Sequence, residues 1–304
     1  MPTPPPPPTI LLIGHGSLGT SLLTALTSHP SYHPSHTHLT ILRRPSPTPT
    51  PLPPHTTLLP TDILTTPLPA LTALLAPFHT IITTTGFSLP PGTQTRLARA
   101  ALAAGVKRYI PWQFGLDYAA IGRGSGKGLF DEQLDVRGML AAQVRTEWTV
   151  VSTGVFMEFL VDPAVGFGVL EVAGARSKVT ALGGWERRVS MTATGDVGRM
   201  VAEVVFDPPG ERVVFVAGDT LSYGEVAGVV GRVYGEEGLE RAVLGDEELK
   251  RRVEEGGDGM DEYRAVFGRG VGTAWEKEAT LNFQRGIELV DFETFLREYK
   301  AKQG

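Results

Sequence analysis

Apolar runs and helical patterns alternate through the first half of the chain. Six short runs rich in aliphatic and β-branched side chains predict strands, and they lie at Thr9–Ile13, His38–Leu42, Thr56–Leu59, His79–Thr84, Val106–Ile110 and Thr149–Ser152. Helical periodicity or composition predicts helices between them, at Thr20–Leu26, Leu68–Ala76, Thr93–Ala104 and Phe130–Gln143. Strands that alternate with helices form a parallel sheet through right-handed crossovers. We therefore predict an α/β fold, a doubly wound parallel sheet of the Rossmann type.

The alternation becomes irregular after Gly154. Short β-like pieces at Arg187–Met191 and Arg212–Val216 mix with predicted helices at Asp196–Phe206 and Tyr223–Val233. Asp196 would cap the first of these helices. The charged, glycine-rich segment Glu236–Asp261 predicts a solvated helix and loop. We expect a proline-rich disordered leader at 1–8, a dinucleotide-binding domain at 9–154 and a smaller mixed α/β lobe at 155–304. The Pro/Thr-rich stretch Ser46–Pro54 predicts an exposed, mobile loop.

The first predicted strand runs directly into the sequence Gly14-His15-Gly16-Ser17-Leu18-Gly19. In a dinucleotide fingerprint the first glycine permits a tight turn, the second admits the pyrophosphate, and the third lets the helix pack on the strand. Free N–H groups at the start of that helix bind phosphate. A simple glycine turn is the alternative, but the strand and helix on either side favour cofactor binding.

The second predicted strand ends in Arg43 and Arg44, where NAD-specific folds carry an acidic residue. A guanidinium group binds the 2′-phosphate of NADP(H) through paired hydrogen bonds. The alternative is two solvated arginines. We assign four further cofactor candidates to the ends of later strands, namely Thr84, Thr85, Gln113 and Phe114.

Composition excludes several other classes of function. The 304 residues carry a net charge of -5 and no cysteine, which excludes disulfides, thiolate metal sites and a cysteine nucleophile. The charge gives no basic field for nucleic acid, and no apolar run reaches the roughly 18 residues of a membrane span. Histidines cluster between His29 and His38 without carboxylates at ligand spacing, so a polar loop is favoured over a metal site. A cytoplasmic protein without a metal is the expectation.

Several segments together resemble the NmrA-like family. They read AALAAGVKRYIP, VKRYIPWQFGLDY, IGRGS, LFDEQLDVRGMLAAQ and TEWTVVSTGVF. The resemblance is strongest over Leu97–Leu160 and is closest to a fungal branch related to isoflavone and phenylcoumaran benzylic ether reductases. It implies an atypical short-chain dehydrogenase-like protein with a Rossmann domain, NADP(H) and a smaller substrate lobe.

The chain departs from this family at two places. One residue, His15, separates the first two glycines, where the family usually has two. The catalytic lysine of the plant reductases, three residues beyond a phenylalanine, corresponds here to Gln133. Glutamine donates hydrogen bonds but does not exchange a proton near neutral pH. The Tyr-x-x-x-Lys pair of ordinary short-chain dehydrogenases is also absent.

Tyr118 is the alternative proton donor, because it follows the fifth strand at the edge where open α/β sheets bind ligands. Tyr118 would serve as this donor if Lys127, on a glycine loop, or the nicotinamide ribose lowered the pKa of its phenol. A tyrosine that only packs its ring is the competing interpretation. We assign the substrate candidates to the same region and to the last Rossmann strand: Trp112, Asp117, Tyr118, Gly154, Phe156 and Phe159.

The sequence thus favours NADPH-dependent reduction of a small organic substrate, aromatic or polyketide-like, with Tyr118 and Gln133 as catalytic candidates. The alternative is a non-catalytic NADP(H)-binding regulator with a protein partner. Gln133 favours the regulator, whereas the aromatic residues after the strands favour the enzyme.

Overall fold

A computed structural model describes residues 9–46, 52–86, 89–164, 168–173 and 176–303. The predicted leader at 1–8 and residues 47–51 of the predicted loop Ser46–Pro54 lie outside these residues. The chain forms two compact units that interleave along the sequence. Unit 1 comprises Met1–Gln113, Glu132–Val151 and Val197–Val213, and unit 2 comprises Phe114–Asp131, Ser152–Asp196 and Val214–Gly304.

The main sheet has six parallel strands in the order β3-β2-β1-β4-β5-β6. Its strands are β1 (Thr9–Ile13), β2 (His38–Arg43), β3 (Thr56–Pro60), β4 (Thr80–Thr83), β5 (Arg108–Ile110) and β6 (Glu147–Trp148). The order reverses next to β1, which is the switch point at which doubly wound sheets bind ligands. The predicted α/β Rossmann-like class is therefore confirmed.

The helices that connect these strands are α1 (Ser17–Ser28), α2 (Leu68–Leu75), α3 (Thr93–Ala104), α4 (Tyr118–Ile121) and α5 (Asp131–Ala141). Apolar side chains of α2, α3 and α5 pack on the sheet in one buried cluster that includes Leu71, Leu97 and Leu140. Helix α3 ends as predicted at Gly105, whose φ of 69° places it in the left-handed region. These contacts hold the three helices against the sheet.

The remaining strands lie outside the main sheet. They are β7 (Val150–Ser152), β8 (Val155–Phe156), β9 (Leu170–Ala173), β10 (Arg176–Leu182), β11 (Arg188–Thr192), β12 (Val213–Phe215), β13 (Asp219–Ser222) and β14 (Leu239–Leu244). They form the sheets β14-β10-β9, β13-β11-β8 and β12-β7. The remaining helices are α6 (Met157–Val161), α7 (Thr194–Phe206), α8 (Tyr223–Tyr234), α9 (Asp246–Glu255), α10 (Asp261–Arg269), α11 (Leu281–Gln284) and α12 (Phe292–Ala301), with a 3₁₀ turn at Lys277–Ala279.

One local prediction was wrong and two were incomplete. A strand forms at Val150–Ser152 as predicted, but it pairs with β12, and the sixth strand of the main sheet is Glu147–Trp148. The segment predicted as solvated helix and loop contains helix α9, but it also contains β14, which pairs in parallel with β10 and has no buried residue. Asp196 does not cap α7, which begins at Thr194; its buried carboxylate accepts a hydrogen bond from the Val290 N–H at 2.7 Å.

Candidate functional site

The glycine loop in unit 1 joins β1 to α1 by a turn that only glycine tolerates at its first position. Gly14 has a φ of 109°, and its N–H donates to the Leu42 carbonyl at 2.9 Å. A Cβ on Gly14 would lie 2.9 Å from the Thr84 hydroxyl and 2.3 Å from the Thr85 methyl. The first glycine therefore serves the turn and its contact with the end of β4, as the fingerprint requires.

Gly16 and Gly19 differ in what surrounds them. A Cβ on Gly19 would lie 2.4 Å from the Gly14 carbonyl oxygen, so the third glycine allows α1 to approach the turn. A Cβ on Gly16 would meet no other part of the described chain within 4 Å. Gly16 is the N-cap of α1 and provides no side-chain cap, and the first turn has no acidic residue. Gly16 and Ser17 are exposed at the start of this 12-residue helix, and the free N–H groups at such a helix start bind phosphate.

Thr84 and Thr85 hold the other side of this turn. The Thr84 hydroxyl donates to the Ile13 and Gly14 carbonyls at 3.1 and 3.2 Å. The Thr85 carbonyl accepts from the Gln94 side-chain amide at 2.6 Å. The Thr85 hydroxyl is buried and has no hydrogen-bond partner among the described residues. Thr84 therefore maintains the loop, and Thr85 retains a free hydroxyl next to it.

Arg43 ends β2, and Arg44 follows it on the surface. The parallel register sets Ile13 opposite Leu42, so the glycine turn and the two arginines leave the sheet side by side. Burial and, to a smaller extent, the Arg43 charge lower the pKa of His15. A cationic group thus stands next to the glycine loop at the position where Rossmann folds select the ribose substituent.

Gln113 and Gln133 are both buried, but their amides differ. The Gln113 amide nitrogen donates to the Gln133 carbonyl at 2.9 Å, and its oxygen accepts from Arg137 Nε at 2.7 Å. Gln113, proposed from the sequence as a cofactor ligand, thus uses its amide to hold α5 against the end of β5. The Gln133 side chain is 6% exposed, and its Oε1 has no partner among the described residues. A buried acceptor of this kind is a candidate for a ligand that donates a hydrogen bond.

Trp112 packs against Gly86 after β4. A Cβ on Gly86 would lie 1.9 Å from the Trp112 ring, so the indole occupies the space that a side chain there would fill. Trp112 is half-buried, which leaves part of the ring accessible. Of the residues predicted from the sequence to contact the substrate, Trp112 is the one that belongs to unit 1.

The other candidates lie in unit 2. Phe114, assigned from the sequence to the cofactor, is 5% exposed. Asp117 is the N-cap of α4 and accepts from the N–H groups of Ala119 and Ala120 at 3.2 and 3.4 Å. Gly154 has a φ of 70°, and a Cβ there would lie 2.0 Å from the Ser190 carbonyl oxygen. The local roles of Asp117 and Gly154 are therefore in helix capping and in close approach of two strands.

Tyr118 belongs to a row of aromatic rings in unit 2. Its ring centroid lies 4.8 Å from that of Phe130, which meets Tyr263 edge-on at 5.5 Å; Tyr263 lies 6.4 Å from Phe159. The Tyr118 hydroxyl points at Gly115, where a Cβ would lie 2.4 Å away. Only glycine at position 115 leaves room for this hydroxyl.

Sequence reasoning missed Tyr263. It lies on α10, far along the chain from the strands of the main sheet, and no motif marks it. Burial, with the neighbouring Tyr118, raises the pKa of the Tyr263 phenol well above its usual range. Lys127, by contrast, donates its ammonium group to the Val253 carbonyl. The titratable group next to Tyr118 is therefore the phenol of Tyr263, although Tyr263 is distant from Tyr118 in the sequence.

Phe156 is the half-buried N-cap residue of α6 and directly precedes the helix that carries Phe159. Among the described residues no group of three or more histidines and acidic residues is arranged to hold a metal ion. In the same part of the chain, every helix is too short or too polar to cross a bilayer.

Comparisons with known proteins agree with this architecture. A profile of the NmrA-like family matches residues 56–280. An NmrA-like family domain-containing oxidoreductase of Gibberella moniliformis (strain M3125 / FGSC 7600) is 44% identical over 303 residues, which cover 95% of this chain and 96% of that protein.

Solved structures share the fold at low sequence identity. Isoflavone reductase superposes with a TM-score of 0.76 at 19% identity, covering 96% of this chain and 99% of the other. The leucoanthocyanidin reductase–NADPH complex from Vitis vinifera has a TM-score of 0.75 at 17% identity, with coverage of 96% and 99%. The profile and the fungal relative each match most of the chain, and these two matches show that the chain belongs to the NmrA-like family.

Proposed function

We propose that this protein binds NADP(H) at the β1–α1 loop and is an oxidoreductase that reduces a small organic substrate, aromatic or polyketide-like. The observation that carries the proposal is the open space at Gly16 in front of the uncapped start of α1, with Arg43 on the neighbouring strand end. The name of the Gibberella relative and the NADPH bound to leucoanthocyanidin reductase support it.

The residues of unit 1 fit such a cofactor. The N–H groups of Ser17, Leu18 and Gly19 would bind the pyrophosphate, and Arg43 with Arg44 would bind the 2′-phosphate. When bound, the nicotinamide supplies a hydride. The hydroxyl of Thr85 and the Oε1 of Gln133 are buried groups without described partners, and each can accept a hydrogen bond from a ligand.

Cofactor choice is the first experiment. NADPH should bind more tightly than NADH by about 1–3 kcal/mol, the scale of one or two charge-assisted hydrogen bonds. That range corresponds to about 5- to 150-fold in Kd. Calorimetric titration of both cofactors measures it, with the double substitution Arg43→Ala plus Arg44→Ala expected to abolish the preference. Arg99→Ala, on the exposed face of α3, is the matched control. Equal Kd values for the two cofactors would contradict the NADP(H) assignment.

Proton delivery is the second experiment. We propose Tyr118 as the donor and Gln133 as a residue that orients the substrate. A general acid contributes about 10²–10⁴-fold in rate, so Tyr118→Phe should reduce kcat by that factor with NADPH affinity unchanged. Gln133→Ala should mainly raise KM. A panel of carbonyl, enone and quinone compounds, followed by NADPH absorbance, provides the substrate. Full activity of Tyr118→Phe would leave the reductase assignment intact and exclude this donor.

A non-catalytic regulator is the second candidate function, and Gln133 is the observation that favours it. The corresponding lysine of the related plant reductases exchanges protons, whereas an amide does not. A regulator would turn over nothing in the panel, and NADP(H) would change its affinity for a protein partner. Turnover of any compound in the panel would exclude it.

A further inference from the structure

His15 is a polar residue that the glycine loop itself does not need. It stands between Gly14, which makes the turn, and Gly16, which faces open space. The His15 ring is half-buried, and its Nδ1 is buried without a hydrogen-bond partner among the described residues. Buried polar atoms in folded proteins nearly always have partners, so an unpaired one next to a ligand-binding loop indicates a group that a ligand completes.

The register of the sheet places His15 beside Arg43. Ile13 pairs with Leu42, and the Gly14 N–H donates to the Leu42 carbonyl at 2.9 Å. The next residues on the two chains are therefore His15 on one side and the pair Arg43 and Arg44 on the other. Both segments leave the carboxyl edge of the sheet at the place where the ribose of a dinucleotide lies.

The charges around His15 keep it neutral in the free protein. Burial and the Arg43 guanidinium lower its pKa, so at neutral pH the ring carries no proton charge. Thr84 faces the same turn with a neutral hydroxyl, and the first turn of α1 contributes no acidic residue. Arg43 is thus the charged group on the neighbouring strand, and it repels a protonated imidazole. A phosphate dianion between the two would reverse this balance.

We propose, building on the NADP(H) assignment above, that His15 is a second cationic contact for the 2′-phosphate of NADP(H), and that it takes up a proton when the phosphate binds. Neutral His15 can donate from one ring nitrogen only and carries no charge, whereas the protonated ring has an N–H donor on both nitrogens and a positive charge that attracts the phosphate. Proton uptake on binding requires NADPH affinity to rise as the pH falls towards the pKa of the free ring. The one-residue loop between Gly14 and Gly16 would thus contribute to cofactor selection.

The test is calorimetric titration of the full chain with NADPH between pH 7.0 and 8.5 in buffers of different ionisation enthalpy. The wild-type protein should take up a substantial fraction of one proton per NADPH bound. Its Kd for NADPH should fall as the pH is lowered, by at most about tenfold per pH unit, because one linked proton sets that limit. His15→Gln keeps a polar side chain but cannot be protonated, so it should lose both the uptake and the pH dependence attributed to His15. NADH, which lacks the phosphate, should show neither in either protein.

His38→Gln is the matched control, because His38 is exposed at the opposite end of β2. It should behave as wild type. Imidazole NMR signals of the wild-type protein, titrated with and without NADPH, provide a measurement that needs no variant; the His15 pKa should be higher in the complex. Identical proton uptake in wild type and His15→Gln, or an unchanged His15 pKa, would overturn the inference and leave NADP(H) binding intact. Absence of binding for both cofactors would overturn the proposed function itself.

Discussion

Two glycines of the β1–α1 loop should differ in role, because Gly16 serves the ligand and Gly19 serves the fold. Gly16→Val places a side chain in space where no other part of the described chain lies within 4 Å, at a residue with extended φ and ψ of -85° and -162°. Glycine is a better N-cap than valine, so the fold should lose about 0.5–1 kcal/mol. The branched side chain would occupy the pyrophosphate position, so NADPH binding should be lost.

Gly19→Ala is the opposite case. Its Cβ would lie 2.4 Å from the Gly14 carbonyl oxygen and 3.0 Å from the Thr84 hydroxyl, whereas an ordinary C···O contact is about 3.3 Å or more. The helix or the turn must therefore move by roughly 0.9 Å. Overpacking of this kind costs about 1–3 kcal/mol. Alanine returns up to about 1 kcal/mol through its higher helix propensity. The net loss should be about 1–2 kcal/mol.

Thermal unfolding and NADPH titration of the two variants distinguish these roles. Gly19→Ala should lower Tm by about 2–4 °C, given roughly 2 °C per kcal/mol for a chain of this size. Gly16→Val should lower Tm by only about 1–2 °C in the absence of cofactor, and it should lose the increase in Tm that saturating NADPH gives the wild type. A folded Gly16→Val protein that binds NADPH at wild-type strength would refute the placement of the phosphates at this loop.

Two further perturbations test the interior of the protein. Gln113→Ala removes the acceptor of Arg137 and the donor to the Gln133 carbonyl. A lost partner costs about 1–3 kcal/mol at a buried group and less at a half-buried one such as Arg137, so urea unfolding should show a loss of about 2–4 kcal/mol. Burial raises the pKa of Tyr109 and Tyr223 well above 10, so above pH 10 only the unfolded chain ionises them. Stability should then fall by about 1.4 kcal/mol per pH unit for each tyrosine. Tyr223→Phe, which removes a buried hydroxyl without a described partner, should reduce that slope; an unchanged slope would contradict its burial.

Local patterns were sufficient for the elements around the cofactor loop. Strand β1 and helix α3 have the predicted bounds, because an apolar run followed by glycine and a helix closed by Gly105 each carry their own end signals. The same logic failed for β14, which has no buried residue and lacks the apolar alternation that marks a strand with one face in the core. Its parallel partner β10 precedes it by more than fifty residues, and such pairing leaves no local signal.

The candidate site also has some features that local sequence patterns predict and others that depend on contacts between distant segments. The glycine spacing and the arginines at the end of β2 could be recognised in the sequence. Phosphate recognition in this fold depends on one contiguous loop and on the end of the next strand, so the residues involved form short local patterns. The local sequence does not predict that the Gln113 side chain accepts a hydrogen bond from Arg137. It also does not predict that Tyr263, on α10, packs in the row of aromatic rings that contains Tyr118. Gln113 and Arg137 are 24 positions apart in the sequence, and Phe130 and Tyr263 are 133 positions apart. Only the tertiary structure decides these contacts, because a side chain's hydrogen bonds and ring contacts depend on which distant segment packs against it.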